Sequence, residues 1–484
     1  MKALLSSALA VCLFGLTATI PAQEVQIPDL GLNAAIREAL QKPVGPLTEA
    51  DLLTVTELDA SGRNVKSVAG LEAAHRLQSL NLQSNQLSEV VFAIGLSQLQ
   101  SLSLSQNLLH RLALAPDMTN LTSLDLFANQ LTNVSFPPEM RDLATLDLFN
   151  NRLFTLNLPP NLTGLDYLGV AANQLTTIDF PPGLTALTQL DLWGNRLTDL
   201  ALPADMSNLV ALTLFFNQLT NLTLPPTLKR LGSLDLDGNQ LRGFTLSTNH
   251  PRLAYLNLHD NRLATLTLPP GLTNLSFLSV DQNSLTNLTL QPEMPKLQFL
   301  NASANQLTSV SLPAGMTNLG FLGLHGNRLR DFRLPANLRR LAQLDLGNNL
   351  LTNVTLSDGL TNLFVLIVEG NPLGTLVMEE PLAERRLASL VEFLRTQGVI
   401  VLTYPLAVQL AMPRQAQSGA FEFAVIGPPG AYVILSSPNL TDWTEAGRVA
   451  NQFGRVDFTE GQAGLVGQTF YRAVNLGSFP QPAE

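Results

Sequence analysis

The segments Leu124–Leu131 (LDLFANQL) and Leu190–Leu197 (LDLWGNRL) share one frame. In both, leucines stand five and three residues before an asparagine, and another leucine follows two residues after it. That asparagine recurs at every twenty-second position, in fourteen copies: Asn85, Asn107, Asn129, Asn151, Asn173, Asn195, Asn217, Asn239, Asn261, Asn283, Asn305, Asn327, Asn349 and Asn371. Repetition this regular predicts a stack of similar coils that bury their leucines together.

Each coil has a strand, a turn and a back that can be assigned from residue type. The alternating leucines before the asparagine predict a short strand with its apolar side chains pointing inward. The asparagine amide is placed to satisfy buried backbone groups in the turn, so we interpret the fourteen asparagines as structural. Proline pairs such as Pro137-Pro138 and Pro225-Pro226 recur on the back of the coil and favour extended backbone over helix.

The frame L-x-x-L-x-L-x-x-N-x-L resembles the leucine-rich repeat, and the resemblance covers about 300 residues. It implies a mainly β fold. We expect a curved solenoid of about 14–15 coils of 22 residues over residues 71–376, with a parallel concave sheet and few convex helices.

Both ends of the repeat array carry different sequence. Residues 23–70 predict a helical N-terminal cap, with a helix at Leu32–Gln41, a capping motif at Thr48–Asp51 and a degenerate first repeat in which Arg63 replaces the asparagine. Residues 377–404 predict a closing helix at Pro381–Gln397, followed by a strand.

The last part of the chain, residues 405–484, loses the repeat and predicts a small antiparallel β-sandwich domain. Its expected strands are Phe421–Val425, Tyr432–Leu435, Arg455–Phe458 and Thr469–Val474. We assign Trp443 to the core of this domain rather than to a sugar-binding platform.

Composition restricts the cellular setting. Residues 1–22 are typical of a Sec-type signal peptide, and they contain the only cysteine, Cys12. The formal net charge is −10 with no basic run, which argues against nucleic acid as a partner. No second hydrophobic run is long enough for an integral membrane span. We therefore expect a secreted or extracellular protein, either free or associated with the cell envelope.

A signal, helical cap, repeats and β-sandwich module in this order resemble the secreted bacterial leucine-rich repeat proteins of the internalin-like type. The resemblance implies a non-enzymatic protein that binds a partner on its concave face. Two departures limit it: the coil backs read L-x-L-P-P-x-L rather than I-x-D-I-x-P-L, and no wall-sorting motif follows the β domain.

Comparing the coils with one another separates scaffold positions from variable ones. Side chains six, four and two residues before each asparagine should point outward on the concave face. From these columns and their neighbours we predict the following ligand-binding residues: Phe127, Phe149, Trp193, Phe215, Phe216, Asp235, Asp237, Tyr255, His259, Phe277, Asp281, Phe299, Phe321 and His325.

The aromatic residues of this face admit three interpretations. They form a binding surface for a protein or peptide ligand, they stack only to stabilise the sheet, or the C-terminal domain covers them. A polysaccharide or cell-envelope ligand, held by the concave aromatics or by the β domain, is the alternative to a protein ligand. The aspartate four residues before several asparagines either meets a basic ligand or accepts local hydrogen bonds.

The sequence contains no convincing motif for a catalytic site or a metal site. Asp237 and Asp281 flank His259 on neighbouring coils, and such carboxylates favour a charged imidazole. The stretch Asp235–Asn239 begins like a calcium-binding loop, but Gln240 and Leu246 stand where that loop requires glycine and glutamate. We predict no enzyme activity, no cofactor and no metal site.

Overall fold

A computed structural model describes residues 23–247, 250–292, 294–335, 338–416, 420–460 and 468–476. The repeated coils form one parallel sheet of fifteen strands, each three residues long, in which every residue pairs with the equivalent residue of the next coil. These strands are Glu57–Asp59, Ser79–Asn81, Ser101–Ser103, Ser123–Asp125, Thr145–Asp147, Tyr167–Gly169, Gln189–Asp191, Ala211–Thr213, Ser233–Asp235, Tyr255–Asn257, Phe277–Ser279, Phe299–Asn301, Phe321–Gly323, Gln343–Asp345 and Val365–Ile367. The predicted mainly β solenoid is confirmed.

The repeated asparagines form a continuous line of side chains inside the coils, which we call the asparagine spine. Asn217 is representative: its Nδ2 donates to the carbonyls of Leu192 and Leu214, each at 3.0 Å, and its Oδ1 accepts from the amide of Leu197 at 3.0 Å. All fourteen repeat asparagines make this pattern of bonds. Each amide thereby joins two consecutive coils through groups that burial would otherwise leave unpaired.

The backs of the coils are extended, as the prolines predict, and they carry short parallel strands of their own. The strands are Glu89–Val91, Arg111–Ala113, Asn133–Ser135, Gly243–Thr245, Thr265–Thr267, Asn287–Thr289, Ser309–Ser311, Asn353–Thr355, Thr375–Glu379 and Ile400–Tyr404. Leucines from the fronts and backs pack into a single core, and most of them are fully buried.

The N-terminal end is closed by α-helices at Leu30–Ala39 and Glu49–Leu52, with a 3-10 turn at Leu71–Ala73. Thr48 and Asp51 form the predicted capping box, in which each side chain bonds to the other residue's amide. Arg63, which replaces the asparagine of the first repeat, extends outward and pairs with Glu38 of the first helix at 2.7 Å.

The closing helix differs from its prediction. The region has a π-turn at Leu382–Arg386 and an α-helix at Ala388–Thr396, so the single helix expected over Pro381–Gln397 is wrong. The interruption occurs where the amide of Leu387 bonds to the carbonyl of Leu382 at 3.0 Å, five residues back, before helical bonding resumes.

Two three-stranded antiparallel sheets follow the solenoid. Their strands are Gln409–Gln415, Phe421–Ile426 and Arg455–Thr459 in one sheet, and Gly430–Ser437, Thr444–Asn451 and Phe470–Asn475 in the other. Phe423, Val425, Tyr432, Ile434 and Phe458 form one apolar cluster drawn from both sheets. The core position assigned to Trp443 is wrong, since its ring is half-exposed and lies 4.2 Å beneath the Arg472 guanidinium.

The predicted signal peptide, residues 1–22 with Cys12, lies outside the described residues. Within the part of the chain that the structure describes, helices are all too short or too polar to cross a membrane.

Candidate functional site: the concave face

The predicted ligand-binding residues lie along the concave sheet in two groups of aromatic rings separated by a polar segment. Residues six before each asparagine begin a strand, and residues two before it lie just past the strand end. Because equivalent residues pair directly from coil to coil, each column becomes a line of side chains about 4.8 Å apart.

The first aromatic ladder consists of Phe127, Phe149, Trp193 and Phe215. Phe127 stacks on Phe149 with ring centroids 5.3 Å apart, and Trp193 stacks on Phe215 at 4.9 Å. Phe149 and Trp193 lie two coils apart but meet at 5.2 Å, since the intervening column position is the small, buried Ala171. The ladder is therefore continuous across a coil that contributes no ring.

Phe216 lies beside this ladder in an unusual environment. Its side chain is 58% exposed, and its ring meets the edge of Phe215 at 5.4 Å. Its φ is +54°, a left-handed conformation that bulky residues avoid. A Cβ on Gly238 would lie 2.4 Å from the Phe216 ring, so the next coil has room for this ring only because it carries glycine there.

The second aromatic ladder consists of Tyr255, Phe277, Phe299 and Phe321, on four successive coils. Neighbouring centroids are 4.5, 4.6 and 4.5 Å apart, and the rings are parallel to within 13°. The flat faces of Phe277 and Phe299 are thus covered on both sides by other rings. The rings stay half-buried and present their edges along the sheet.

Between the ladders lies a cluster of titratable groups. His259 bonds through Nδ1 to Asp281 Oδ2 at 2.7 Å, and Ser279 donates to the other oxygen of Asp281. Tyr255 donates to Asp235 at 3.5 Å, and burial together with that carboxylate raises the pKa of Tyr255 to about 12. From the sequence we expected Asp237 and Asp281 to flank His259. Among the described side chains, Asp281 bonds to the imidazole ring and Asp237 does not.

Two carboxyl groups of this cluster resist ionisation. Burial raises the pKa of Asp235 above its ordinary value, against the hydrogen bond from the Asp237 amide that lowers it. Burial also raises the pKa of Asp237, which the nearby His259 opposes, and one buried oxygen of Asp237 has no hydrogen-bond partner among the described residues. The segment therefore offers acceptor groups that local partners leave partly unsatisfied.

His325 lies apart from this cluster on the C-terminal side. Its Nδ1 is 3.4 Å from Asp345, and its Nε2 is 3.0 Å from the Asn348 amide nitrogen, so both ring nitrogens have neighbours. The structure does not bring His325 together with His259. Among the described residues, no three histidine, aspartate, glutamate or cysteine side chains converge as a metal site would require.

The aspartate column accepts local hydrogen bonds. Asp125 and Asp147 each accept from the amide two residues later, at 3.0 and 2.9 Å, and Ser103 also donates to Asp125. The two carboxylates are paired across neighbouring strands, and burial followed by the charge of Asp125 raises the pKa of Asp147. These bonds account for the aspartates within the scaffold.

Sequence reasoning missed two features of this face. The left-handed backbone of Phe216 follows from its place immediately before a repeat asparagine, where the other coils carry small or polar residues. A groove lined by Arg252 and Lys296 borders the second aromatic ladder. The column nine residues before each asparagine, which holds both cations, was the available signal.

Residues 170–255 and 257–352 match the model of the BspA type leucine rich repeat region, in six copies. No curated protein matches the chain. Among solved structures, the leucine-rich effector protein YopM from Yersinia pestis is 29% identical, with a TM-score of 0.54 over 71% of this chain and 88% of that one.

The functional domain of InlJ from Listeria monocytogenes, described as including a cysteine ladder, is 20% identical with a TM-score of 0.56. The match covers 83% of this chain and 94% of that domain, and at this identity it shows the fold alone. The repeat match and the fifteen-stranded sheet show that the solenoid has the leucine-rich repeat fold.

Proposed function

We propose that this protein is a secreted, non-enzymatic binding protein that recognises a protein or peptide on its concave face. The leucine-rich repeat scaffold supports an interaction role, and the signal peptide predicted over residues 1–22 supports secretion. The first aromatic ladder with Phe216, and the polar segment of Asp235, Asp237 and His259, would form the contact surface.

The observation that carries the proposal is Phe216. A bulky residue in the left-handed region costs on the order of 1–2 kcal/mol relative to glycine, and here most of the ring remains in solvent. Backbone preference disfavours phenylalanine at this position, and the ring packs only along the edge of Phe215 and over Gly238 among the described residues. Exposed aromatic side chains next to packed ones are the usual energetic centres of protein interfaces, so a ligand contact explains a residue that the fold alone does not.

Ring orientation favours a protein partner over a polysaccharide. Sugars stack on the flat faces of aromatic rings, but the faces of Phe277, Phe299 and Trp193 are taken up by neighbouring rings. On the β domain, the Arg472 guanidinium covers one face of Trp443. The exposed ring edges suit apolar side chains and carbonyl oxygens of a polypeptide.

The test compares the full-length protein with Phe216→Gly in affinity capture from the extracellular proteins of the native environment. We expect the variant to retain its melting temperature and to bind the captured partner about ten-fold or more weakly, the loss typical of a central interface aromatic. Gln282→Gly is the matched control, because Gln282 occupies the same left-handed position with a φ of +52°.

Equal binding by wild type and Phe216→Gly would remove this patch from the binding surface. A glycan array with the full chain and with the same variant tests the alternative. Specific glycan binding that Phe216→Gly abolishes, without any captured protein, would replace the protein ligand by a polysaccharide.

A further inference from the structure

A groove of about 460 Å³ runs across successive coils beside the second aromatic ladder. We call it the lateral groove. Its outer row consists of Arg252, Asn274, Lys296 and Asn318, all nine residues before a repeat asparagine. Its inner row is Ala254, Ser276 and Gln298, which immediately precede Tyr255, Phe277 and Phe299. The aromatic ladder therefore forms one border of the groove.

The groove is rich in hydrogen-bond donors, and no carboxylate is among the lining residues that the structure describes. Asn274 and Asn318 are fixed by bonds from Nδ2 to the carbonyls of Pro251 and Pro295, at 2.8 and 2.7 Å. Among the described residues Lys296 donates to Asn274 Oδ1 at 2.7 Å, and an ammonium group has two further hydrogens to offer a ligand. Within the described chain, neither Arg252 nor Lys296 has a carboxylate within salt-bridge distance.

These two cations, which form no ion pair with a carboxylate in the described part of the chain, contrast with a net charge of −10. The neighbouring ring edges add to this positive charge, because the edge of an aromatic ring carries partial positive charge while its face carries partial negative charge. The stack buries the faces and exposes the edges. A ligand in the groove would meet cations on one side and electropositive C–H edges on the other, which suits carboxylates and carbonyl oxygens.

The spacing of the cations selects among extended anionic chains. Arg252 and Lys296 line the groove, and the exposed Arg340 lies one coil beyond the last lining residue, Asn318. The three cations follow one another at every second coil, about 9.6 Å by strand spacing. Arg230, one coil before Arg252, lies in the same column and bonds to Asn208 at 3.0 Å, as Lys296 bonds to Asn274. A polyproline II peptide repeats every three residues with a rise of about 3.1 Å each, so its repeat is about 9.3 Å. An acidic side chain at every third residue would match the three cations.

We propose that the lateral groove binds an extended acidic peptide in the polyproline II conformation, with a carboxylate at every third residue. Arg252, Lys296 and Arg340 pair with successive carboxylates, and the ring edges of the second aromatic ladder pack along the peptide. Aromatic-lined grooves are a general way of docking polyproline II segments. The inference deepens the proposed function, on which it rests, by specifying the chemistry of a polypeptide partner at this border of the concave face.

The test measures fluorescence anisotropy of a labelled peptide of repeated Glu-Pro-Pro units with the full-length protein. We expect saturable binding that weakens with salt. The same residues rearranged into one glutamate block and one proline block, and a Gln-Pro-Pro repeat, should each bind at least about ten-fold more weakly, since each loses charge-assisted bonds. Arg252→Glu with Lys296→Glu should abolish binding.

The matched control is Arg262→Glu with Arg328→Glu, which makes the same charge change at exposed arginines one residue after a repeat asparagine. It should bind the peptide within about two-fold of wild type, a difference below half a kcal/mol. Equal losses in both pairs, or equal affinity for the repeated and block peptides, would reduce the effect to overall charge and overturn the proposal.

Absence of peptide binding would also overturn it, and tighter binding of a polyuronate than of the peptide would assign the groove to an acidic glycan. Phe216 lies outside the groove, so the capture experiment with Phe216→Gly remains independent. Protein capture that depends on Phe216, with no binding of the Glu-Pro-Pro peptide, would leave the proposed function standing and reject only this inference.

Discussion

The two aromatic ladders occupy the same sheet but are built differently. The second ladder places one ring on each of four successive coils at a spacing of 4.5–4.6 Å, so its stack follows the register of the strands. The first ladder crosses a coil without a ring, and its contacts at 4.9–5.3 Å include a 47° tilt. Sheet register imposes the second stack, whereas the first stack also needs Phe149 and Trp193 to lean toward each other across the coil of Ala171.

The largest effect should come from the asparagine spine, which supports both ladders equally. Asn195→Leu beneath the first ladder and Asn305→Leu beneath the second each remove the partners of one amide and two carbonyls. Each should lower the free energy of unfolding by at least about 3 kcal/mol, given about 1–3 kcal/mol for each unsatisfied buried group. Denaturant unfolding measures it. Clearly unequal losses would show that the scaffold, and not only the rings, differs between the two regions.

Removing an inner ring of the second ladder should have the next largest effect. Phe299→Ala loses stacking on both ring faces as well as apolar burial, and we expect a loss of about 2–3 kcal/mol in unfolding free energy. Phe321 lies at the end of the ladder and contacts a ring on one face only. Phe321→Ala should therefore lower the unfolding free energy by about half as much. If thermal unfolding shows equal losses, the stack does not act as a continuous unit.

The coil of Ala171 contributes no ring to the first ladder, yet it leaves no empty space for one. Phe149 and Trp193 already meet above Ala171, which is 2% exposed, so Ala171→Phe should displace both rings. We expect a destabilisation of about 1–3 kcal/mol from overpacking, despite a sequence that then resembles an uninterrupted ladder. Ala171→Gly is the control, since it adds no volume. A more stable Ala171→Phe would mean that both ladders follow strand register after all.

The smallest effect should arise at the boundary between the ladders. Burial raises the pKa of Asp235, so the folded state binds its proton more tightly than the unfolded chain does, and ionisation opposes folding. Asp235→Asn should therefore stabilise the protein at pH 7 by on the order of 1 kcal/mol. The gain should disappear as the pH falls through the raised pKa toward the unfolded value of about 3.9. Unfolding curves from pH 7 to 3 measure it; a gain that persists at low pH would exclude ionisation as its cause.

The fold followed from the sequence because one residue frame repeats without insertions. A period of 22 residues fixes the position of every strand in the concave sheet, and the asparagines bond to equivalent backbone groups on every coil. Outside the repeat the prediction weakens. The strands Gln409–Gln415 and Thr444–Asn451 were missed because Pro413 and Gly447 interrupt patterns that otherwise contain few apolar residues.

The sequence predicted which side chains lie on the concave face, but not which of them contact each other. The columns correctly aligned Phe277, Phe299 and Phe321, because parallel pairing keeps equivalent residues adjacent. They did not show that Phe149 leans across a coil to Trp193, or that His259 selects Asp281 over Asp237. Side-chain rotamers decide these contacts, and a repeat frame carries no information about rotamers.

The asparagine spine also gives the molecule a mechanical character. Every amide of the spine, like every strand pair, bonds one coil to the next, so a pull along the long axis would load these steps in series. Twelve of the fourteen spine residues are buried, whereas Asn283 and Asn371 are partly exposed to water. Water competes most easily for bonds at such places, so a stretched molecule would yield first at these two coils and extend in increments of one repeat.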